Sequence, residues 1–529
     1  MRLPPSMRAS GLAVSAALLL AAGVARGQVP LVDYEPASRA VQIRDSAAWR
    51  LAFRPPLAVL LQTVSQLRAT PGLDPAVLRQ VDELVQQAAK QPDADAQRTL
   101  WRAVAALTGQ AWTPQQEMLS ALALRTPTPI WSGKGDMLTL EALYPPAAAG
   151  GGTYQIDLLA SEPTTSATPK KGALLKTVAK GSLGPTFPAR VPLALGGLPD
   201  GSYLLVGKAS AGPTARTEFA QSVFLLHDLP ARHRALSAQL ARIAGHEDAK
   251  ALAEYPYALA EAITAGKREI ISYDFPTALQ RSQRIAAELK AGRDSVRQAK
   301  GLQNRAYRFA PTGELIPYQV YVPSTWTPDK QWPLVVALHG ANLDETNMLG
   351  RDGGRMQKLA EQHGFIVVAP LGYRLNSAYG SERGMSRAIV GDQAERRRRS
   401  EADVLAVVQL VDREYNVDPK RRYLTGNSMG GGGTWWIGGR HPELWAALAP
   451  GAYGGVLPED VPALSRVPIL AVVGDHDEVG MLPRVRDSVA VLRAGGVEPQ
   501  YIEVAGGTHA SAFETTLPDI FKFFENHAK

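Results

Sequence analysis

Tyr423-Leu424-Thr425-Gly426-Asn427-Ser428-Met429-Gly430-Gly431-Gly432-Gly433-Thr434-Trp435-Trp436 is the stretch on which the reading of this chain turns. A short strand-forming run, Arg422 to Thr425, breaks into Gly426-Asn427-Ser428-Met429-Gly430, and the residues beyond it can form a helix. This is the G-x-S-x-G pattern, in which a serine sits on a sharp strand-to-helix turn with its hydroxyl held above a sheet. Glycines two positions to either side suit such a turn, because the backbone there is strained and closely flanked and a side chain would collide. With 48 glycines among 529 residues the pattern alone could arise by chance, so the elements around it have to carry the assignment.

Working outward, apolar runs alternate with amphipathic ones. Candidate strands are Arg305 to Phe309, Leu315 to Val322, Leu334 to Leu338, Phe365 to Ala369, Arg422 to Thr425, Ala446 to Ala449, Ile469 to Val473 and Tyr501 to Val504. Several are continuous apolar runs, as strands buried on both faces should be. Between them, helices are expected over Arg355 to His363, Glu401 to Tyr415 behind a Ser400 cap, Gly430 to Arg440, Met481 to Arg493 and Ser511 to His527. That alternation predicts an α/β domain, a mainly parallel eight-stranded sheet with helices on both faces.

A serine becomes a useful nucleophile when a positioned base takes its proton and an acid holds that base in the right tautomer. The loop after Ile469 to Val473 offers Asp475, Asp477 and Glu478, and the loop after the last strand offers His509. His509, among small residues at a strand end, has little core to fill and is the expected base. Donors for a developing oxyanion are the backbone N–H of Met429 and that of Ala341, in the turn Leu338-His339-Gly340-Ala341-Asn342. The His339 side chain reads as structural, and His476 as a bystander.

Taken together, L-H-G-A-N, G-F-I-V-V-A-P (Gly364 to Pro370), Y-L-T-G-N-S-M-G-G-G-G-T, G-D-H-D and G-G-T-H resemble secreted esterases related to polyhydroxybutyrate depolymerases and feruloyl esterases, over about residues 305–529. The catalytic domain of prolyl-oligopeptidase-type peptidases is similar too. The resemblance implies the α/β-hydrolase fold and a carboxylic ester hydrolase working through Ser428, His509 and an acyl-enzyme. Its spacing of Gly, two residues, then Asp selects Asp477 as the acid, with Asp475 the alternative. Tyr373, Tyr379, Trp435, Trp436 and Tyr453 are candidates for an aromatic substrate pocket beside a long loop, Leu371 to Arg399, which would suit an aryl, polyester or acyl-sugar substrate. At least one of the two tryptophans is expected in the core. Competing readings are an exported serine peptidase and a polymer-binding protein with an inactive hydrolase domain. No cofactor is called for, and no cluster with metal-ligand spacing is present.

The first 27 residues have Arg2 and Arg8 ahead of an apolar run, Gly11 to Val24, and small residues at Ala25-Arg26-Gly27. They read as a general-secretion signal with cleavage near Gly27 and Gln28, so a secreted or periplasmic protein is expected. No run reaches the roughly 20 apolar residues of a membrane span. The chain has no cysteine, which removes disulfides and thiol chemistry. A net charge of +7 is spread out except at Arg396 to Arg399, so nucleic acid is not expected as a partner. That arginine run reads as a solvated approach to the next helix or as a contact for an anionic partner. Oligomeric state is not legible.

The remaining segments divide into a helical region, 28–126; a small β-sandwich, 127–230; a helical connector, 231–304; and the hydrolase domain, 305–529. Asp74 and Pro75 signal a helix start. Trp49, Trp101 and Trp112 read as core. In the sandwich, Leu198-Pro199-Asp200-Gly201-Ser202-Tyr203 looks like a turn found in many immunoglobulin-like accessory modules.

Overall fold

The computed structural model describes residues 57–529 apart from 69, 126–127, 129, 147–150, 162–170, 185–186, 213–214, 266, 269–272, 342 and 383–392. The segment expected to be a secretion signal, Trp49 and part of the Leu371 to Arg399 loop lie outside the described residues. The chain divides into two compact units, one holding residues 57–232 and 260–278, the other 233–259 and 279–529. No helix among the described residues is long and apolar enough to cross a membrane.

The first unit begins with α1 (Leu57–Arg68), α2 (Pro75–Ala88), α3 (Asp93–Leu107) and α4 (Pro114–Ala121). Leu60, Val64, Val81, Leu84, Leu100 and Ala103 close a small core, with Trp101 packed against it. Asp74 caps α2 by accepting the Ala76 N–H at 2.7 Å, with Pro75 at the first helical position. Two sheets follow, built from β1 (Leu122–Arg125), β2 (Ile130–Trp131), β3 (Met137–Ala142), β4 (Gly152–Ser161), β5 (Lys171–Leu183), β6 (Ala189–Pro192), β7 (Gly201–Ala211) and β8 (Ala215–Leu225). Their orders are β1-β3-β6 and β2-β8-β7-β4-β5.

β1 lies inside the stretch expected to be helical, and it pairs antiparallel with β3. β5 escaped the sequence reading because it is an edge strand with exposed Leu174 and Leu175, and bulges against β4 break the period-2 alternation. At the Pro199 turn, Tyr203 Oη donates to the Pro199 carbonyl at 2.7 Å, and Asp200 accepts the His227 N–H at 2.8 Å.

Helices α5 (Leu229–Leu240), α6 (Glu247–Thr264) and α7 (Phe275–Lys290) have residues in both units. α6 continues through Pro256, although a proline in that position ordinarily breaks or kinks a helix.

The second unit contains β9 (Gly301–Arg308), β10 (Leu315–Val322), β11 (Trp332–Leu338), α8 (Asn347–His363), β12 (Ile366–Pro370), α9 (Gln393–Tyr415), β13 (Val417–Asn427), α10 (Met429–Arg440), β14 (Ala447–Gly451), α11 (Val461–Leu464), β15 (Leu470–Gly474), α12 (Leu482–Ala494), β16 (Gln500–Val504) and α13 (Ser511–Glu525). The strands form one sheet in the order β16-β15-β14-β13-β11-β12-β10-β9. β10 runs antiparallel to both neighbours, and β11 to β16 pair in parallel.

The apolar runs that identified the strands are the reason they are interior. Val335, Val336, Val367, Val368, Val472 and Val473 are all fully buried. On one face Phe513, Leu517, Ile520, Phe521 and Phe524 of α13 meet Val335, Val367 and Val472, with Met356 and Leu359 of α8. Each such side chain contributes about 1.5–3 kcal/mol. α8 is interrupted where Arg351 leaves helical geometry and Asp352, Gly353 and Gly354 take positive φ, so its regular part begins near Arg355. A buried ion pair, Arg305 Nη2 to Glu414 Oε1 at 2.9 Å, ties β9 to α9, and Arg305 also donates to Tyr415 Oη at 2.6 Å.

The arginine run is corrected by the structure. Arg396 to Arg399 lie within α9 rather than ahead of it. Arg396 is buried, Arg398 and Arg399 pair with Glu395 at 2.6 and 3.0 Å, and Arg399 Nη1 donates to Tyr373 Oη at 2.9 Å. Ser400 caps nothing: its buried hydroxyl donates to the Gly372 carbonyl at 2.7 Å.

Candidate active site

Ser428 stands between β13 and α10 with φ 59° and ψ −122°, a conformation that non-glycine residues rarely adopt. Its backbone N–H donates to the Gly451 carbonyl at 3.0 Å, which anchors the turn to β14. The side chain is partly exposed, whereas Gly426, Asn427 and Gly430 around it are buried. A Cβ on Gly426 would sit 2.6 Å from the Gly430 carbonyl, and one on Gly430 would sit 2.0 Å from the Leu338 carbonyl oxygen. Both contacts are with backbone, which cannot swing aside. The turn therefore requires glycine at both positions, as the spacing anticipated.

His509 follows β16 and Asp477 follows β15. His509 Nδ1 lies 2.8 Å from Asp477 Oδ2, and the two side chains are 3% and 0% exposed. The other carboxylate oxygen, Asp477 Oδ1, accepts the N–H groups of Val479 at 3.0 Å and Met481 at 3.3 Å. Asp475 turns elsewhere, accepting the Gly506 N–H at 2.7 Å and meeting His476 Nδ1 at 2.6 Å. The hydrogen bond from His476 holds the Asp475 carboxyl below its ordinary value. His509 Nε2 is buried without a hydrogen-bond partner among the described residues.

The turn after β11 stands beside Ser428. A Cβ built on Gly340 would lie 3.6 Å from Ser428 Cβ and 3.7 Å from the Asn427 carbonyl oxygen. The His339 ring is fully buried, with Nδ1 2.8 Å from the Gly340 carbonyl and Nε2 2.8 Å from the Leu371 carbonyl. Burial pushes this ring below its ordinary value, while the carbonyl acceptors at its two nitrogens act in the opposite direction. A carbonyl and the N–H of the same trans peptide point in opposite directions. With the Gly340 carbonyl turned to the His339 ring, the N–H of Ala341 points away from that ring. The N–H of Met429, at the start of α10, is next to Ser428 in the chain.

The aromatic residues expected to line a pocket behave differently from one another. Tyr379 is fully buried under α10, where a Cβ on Gly433 would meet its ring at 2.7 Å, and its hydroxyl donates to the His339 carbonyl at 3.2 Å. Tyr373 is 1% exposed, its ring lying 3.9 Å from the Arg374 guanidinium and its N–H donating to Asp403 at 2.7 Å. Trp435 is buried and donates Nε1 to the Tyr453 carbonyl at 2.9 Å. These three are buried rather than lining, the Tyr379 ring filling space left by Gly433 of α10 and by Gly372 in the loop after β12. Trp436 is half-buried on Glu401, its Nε1 3.1 Å from the carboxylate, with Arg440 over its ring. Tyr453 is half-buried against Gly431 and Gly432, in the loop that carries Gly451.

Several contacts had no sequence signal. Asn427 Nδ2 donates to the His509 carbonyl at 3.2 Å, and Glu478 Oε2 accepts the His509 N–H at 2.9 Å. Asp403, fully buried in α9, accepts from Tyr307 Oη at 2.5 Å as well as from the Tyr373 N–H. Burial and the Asp403 charge hold the Tyr307 hydroxyl far above its ordinary value, so it stays a donor. Glu401 receives Trp436, Arg440 and, at 2.8 Å, His441. Such pairs join residues tens of positions apart, which no local pattern encodes.

Residues 310–524 match the family model named Esterase. The chain is 32% identical over 178 residues to a bifunctional acetylxylan esterase/xylanase of Neocallimastix patriciarum, covering 32% of this chain and 23% of that protein. It is 32% identical over 138 residues to feruloyl esterase B of Neurospora crassa, covering 25% and 43%. It is 30% identical over 125 residues to poly(3-hydroxyalkanoate) depolymerase C of Paucimonas lemoignei, covering 23% and 28%. The chain thus spans less than half the length of each of these relatives.

Proposed function

We propose that this chain is an exported serine hydrolase of the α/β-hydrolase fold that cleaves carboxylic esters through Ser428, His509 and Asp477, a reading supported by the match of residues 310–524 to the Esterase family model. The observation that carries this reading is the 2.8 Å contact of His509 Nδ1 with the buried Asp477 carboxylate, behind a serine held at φ 59°. In that arrangement Asp477 keeps the proton of the neutral ring on Nδ1 and leaves Nε2 to receive the Ser428 hydroxyl proton as Oγ attacks the ester carbonyl. The N–H groups of Met429 and Ala341 are the proposed donors to the oxyanion. The imidazolium returns its proton to the leaving alcohol, and water then releases the acid from the acyl-enzyme by the same route reversed.

The relatives are named for acetylxylan, feruloyl and poly(3-hydroxyalkanoate) substrates, whose shared chemistry is a carboxylic ester bond. We read the substrate of this chain as a member of that class. Tyr453, half-buried over Gly431 and Gly432, and Trp436 remain the aromatic candidates for contact with it. The apolar run Gly11 to Val24 supports export, and the two sheets of the first unit are read as an immunoglobulin-like accessory module.

Side-by-side turnover of p-nitrophenyl acyl esters and chromogenic peptides tests the reading, together with fluorophosphonate labelling of the wild type and Ser428→Ala. Ester turnover with labelling lost in the variant is expected. Peptide cleavage far exceeding ester cleavage would assign the same site to a peptidase, and undiminished labelling of the variant would remove Ser428 from the mechanism.

A further inference from the structure

His509 is fixed at three separate atoms. Asp477 takes its ring Nδ1, Glu478 Oε2 accepts its main-chain N–H at 2.9 Å, and Asn427 Nδ2 donates to its main-chain carbonyl at 3.2 Å. Resting on the reading of Ser428 as nucleophile and His509 as base, we propose that Asn427 and Glu478 are positioning residues, a two-point clamp on the main chain of His509 that sets the reach of Nε2 toward Ser428.

The first argument concerns what the ring contact leaves free. A hydrogen bond at Nδ1 fixes the tautomer and the turn of the ring, but the loop that carries the ring can still shift as a whole. Gly506 takes φ 69° and Gly507 follows it, so the backbone just ahead of His509 has little stiffness of its own and depends on hydrogen bonds, from the Gly506 N–H to Asp475 at 2.7 Å and from the His476 N–H to the Gly507 carbonyl at 3.0 Å, with nothing of that kind at His509 itself among the described residues but the clamp. A displacement of about 1 Å at a reacting atom is enough to cost two orders of magnitude in rate. The clamp acts on that displacement and not on the ring.

A second argument is the route by which the distance is set. Asn427 is covalently joined to Ser428, so the chain from nucleophile to base runs through one peptide unit, one side chain and one hydrogen bond. Any movement of the elbow then carries the base loop with it. Glu478 likewise follows Asp477 directly, so the acid loop holds both the ring and the main chain of the base.

The third argument is the price Asn427 accepts in satisfaction of its own polar atoms. The residue is 5% exposed, and its Oδ1 is buried without a partner among the described residues. Turning the amide over would bring Oδ1 against the His509 carbonyl, acceptor against acceptor, so the donor has to face His509. Buried acceptors left unpaired are rare because they lose hydration for nothing. An apolar residue of similar size would avoid that loss, so folding alone does not account for asparagine here. The bond to His509 does.

The test uses the full chain with p-nitrophenyl acetate, reading kcat and KM separately, the rate of fluorophosphonate labelling and the melting temperature. Asn427→Ala is expected to lower kcat and labelling about 10–100-fold with KM within about threefold, and Asn427→Asp, which keeps the shape but faces a carboxylate to the carbonyl, by at least as much. Glu478 is exposed and its arm is weaker, so Glu478→Ala is expected to lower kcat about 3–10-fold. Glu478→Gln, whose amide oxygen accepts the same N–H, recovers most of that loss. Combining Asn427→Ala with Glu478→Ala loses less than the product of the single effects, because both act on one loop.

Wild-type kcat in both Asn427 variants would overturn the clamp, as would a loss confined to KM, or a Gln variant no better than Ala. Unfolding of the Asn427 variants at the assay temperature would assign that residue to stability and overturn its half of the proposal, with the Glu478 pair deciding the other half. A wild type inert toward esters and probe would instead defeat the esterase reading, whereas an active wild type with Ser428→Ala silent and Asn427→Ala fully active defeats the clamp alone.

Discussion

Replacing Asp477 with asparagine removes a charge and keeps the shape, and the contacts of its two oxygens dictate how the new amide must sit. Oδ1 accepts two backbone N–H groups, from Val479 and Met481, so the amide NH2 cannot occupy that side without facing two donors. The amide oxygen takes the Oδ1 position, and the NH2 is left facing His509 Nδ1. The ring must then accept at Nδ1 and carry its proton on Nε2, the atom that receives the Ser428 proton in the proposed mechanism. With the side chain fully buried, water offers no alternative partner.

The loss is therefore that of a base locked in the wrong tautomer, about 10³–10⁴ in kcat, or roughly 4–5.5 kcal/mol of transition-state stabilisation. Steady-state turnover of a p-nitrophenyl ester by Asp477→Asn, set against Asp475→Asn, reads it directly. Asp475 is part-exposed and touches no atom of His509, and an asparagine there can still accept the Gly506 N–H through its amide oxygen, so its variant is expected to stay within about threefold of wild type. If Asp477→Asn kept more than a tenth of wild-type kcat, or Asp475→Asn fell as far, the tautomer argument would be wrong.

Gly430→Ala forces a Cβ to within 2.0 Å of the Leu338 carbonyl oxygen, and is expected to cost at least about 3 kcal/mol in urea unfolding while displacing the turn that carries Ala341. Unchanged stability would mean that the elbow and the Leu338 turn are not in contact. Tyr307→Phe deletes the hydroxyl that donates to buried Asp403, and a loss of about 1–3 kcal/mol is expected, since that carboxylate then keeps fewer donors. Glu401 gives a pH test. Burial alone would raise its carboxyl, but donors from His441, Trp436 and Arg440 outweigh burial and hold it below the ordinary value of 4.5. A carboxyl whose folded pKa is depressed adds stability above its unfolded pKa and loses it as pH falls through the folded one. The urea midpoint of the wild type should therefore drop further between pH 6 and about pH 3 than that of Glu401→Gln, and parallel curves would refute the assignment.

The strands of the second unit were legible because their burial on both faces demands uninterrupted apolar runs. Val335 to Leu338 and Ala471 to Val473 could be little else. The glycines around Ser428 were legible because a tight turn leaves a fixed spacing in the sequence. That a carboxylate would stand near His509 followed from the order of loops at one edge of a parallel sheet, whereas the choice of Asp477 over Asp475 rested on the family resemblance. What stayed hidden was set by contacts at long sequence range. Tyr373 and Tyr379 look like any pocket aromatics until Gly372, Gly433 and Asp403 are seen to enclose them. Arg396 to Arg399 read as a solvated run until Glu395 and Tyr373 are found to hold them in a helix. β5 carries no burial pattern since an edge strand with bulges needs none. Pro256 breaks no helix, a case in which tertiary packing overrides a local rule.

The glycine run of α10 also decides where this molecule can change. Gly430 abuts Leu338, Gly431 the Gly451 carbonyl, Gly432 the Tyr453 ring and Gly433 the Tyr379 ring, each closer than 3 Å to where a Cβ would stand. Drift at these four positions is closed in every direction at once, since enlarging one demands a matching retreat on a different element. Divergence toward a new acyl group has to travel through residues with open space around them, such as the outer edge of Tyr453 and the exposed Leu457. A mutagenesis library aimed at substrate range belongs at Tyr453 and at Leu457, which is 40% exposed, and not at Gly454, where a Cβ would stand 2.0 Å from the Arg484 carbonyl oxygen, at Gly455, whose φ of 131° strains any side chain, or in the helix that lies nearest the serine in sequence.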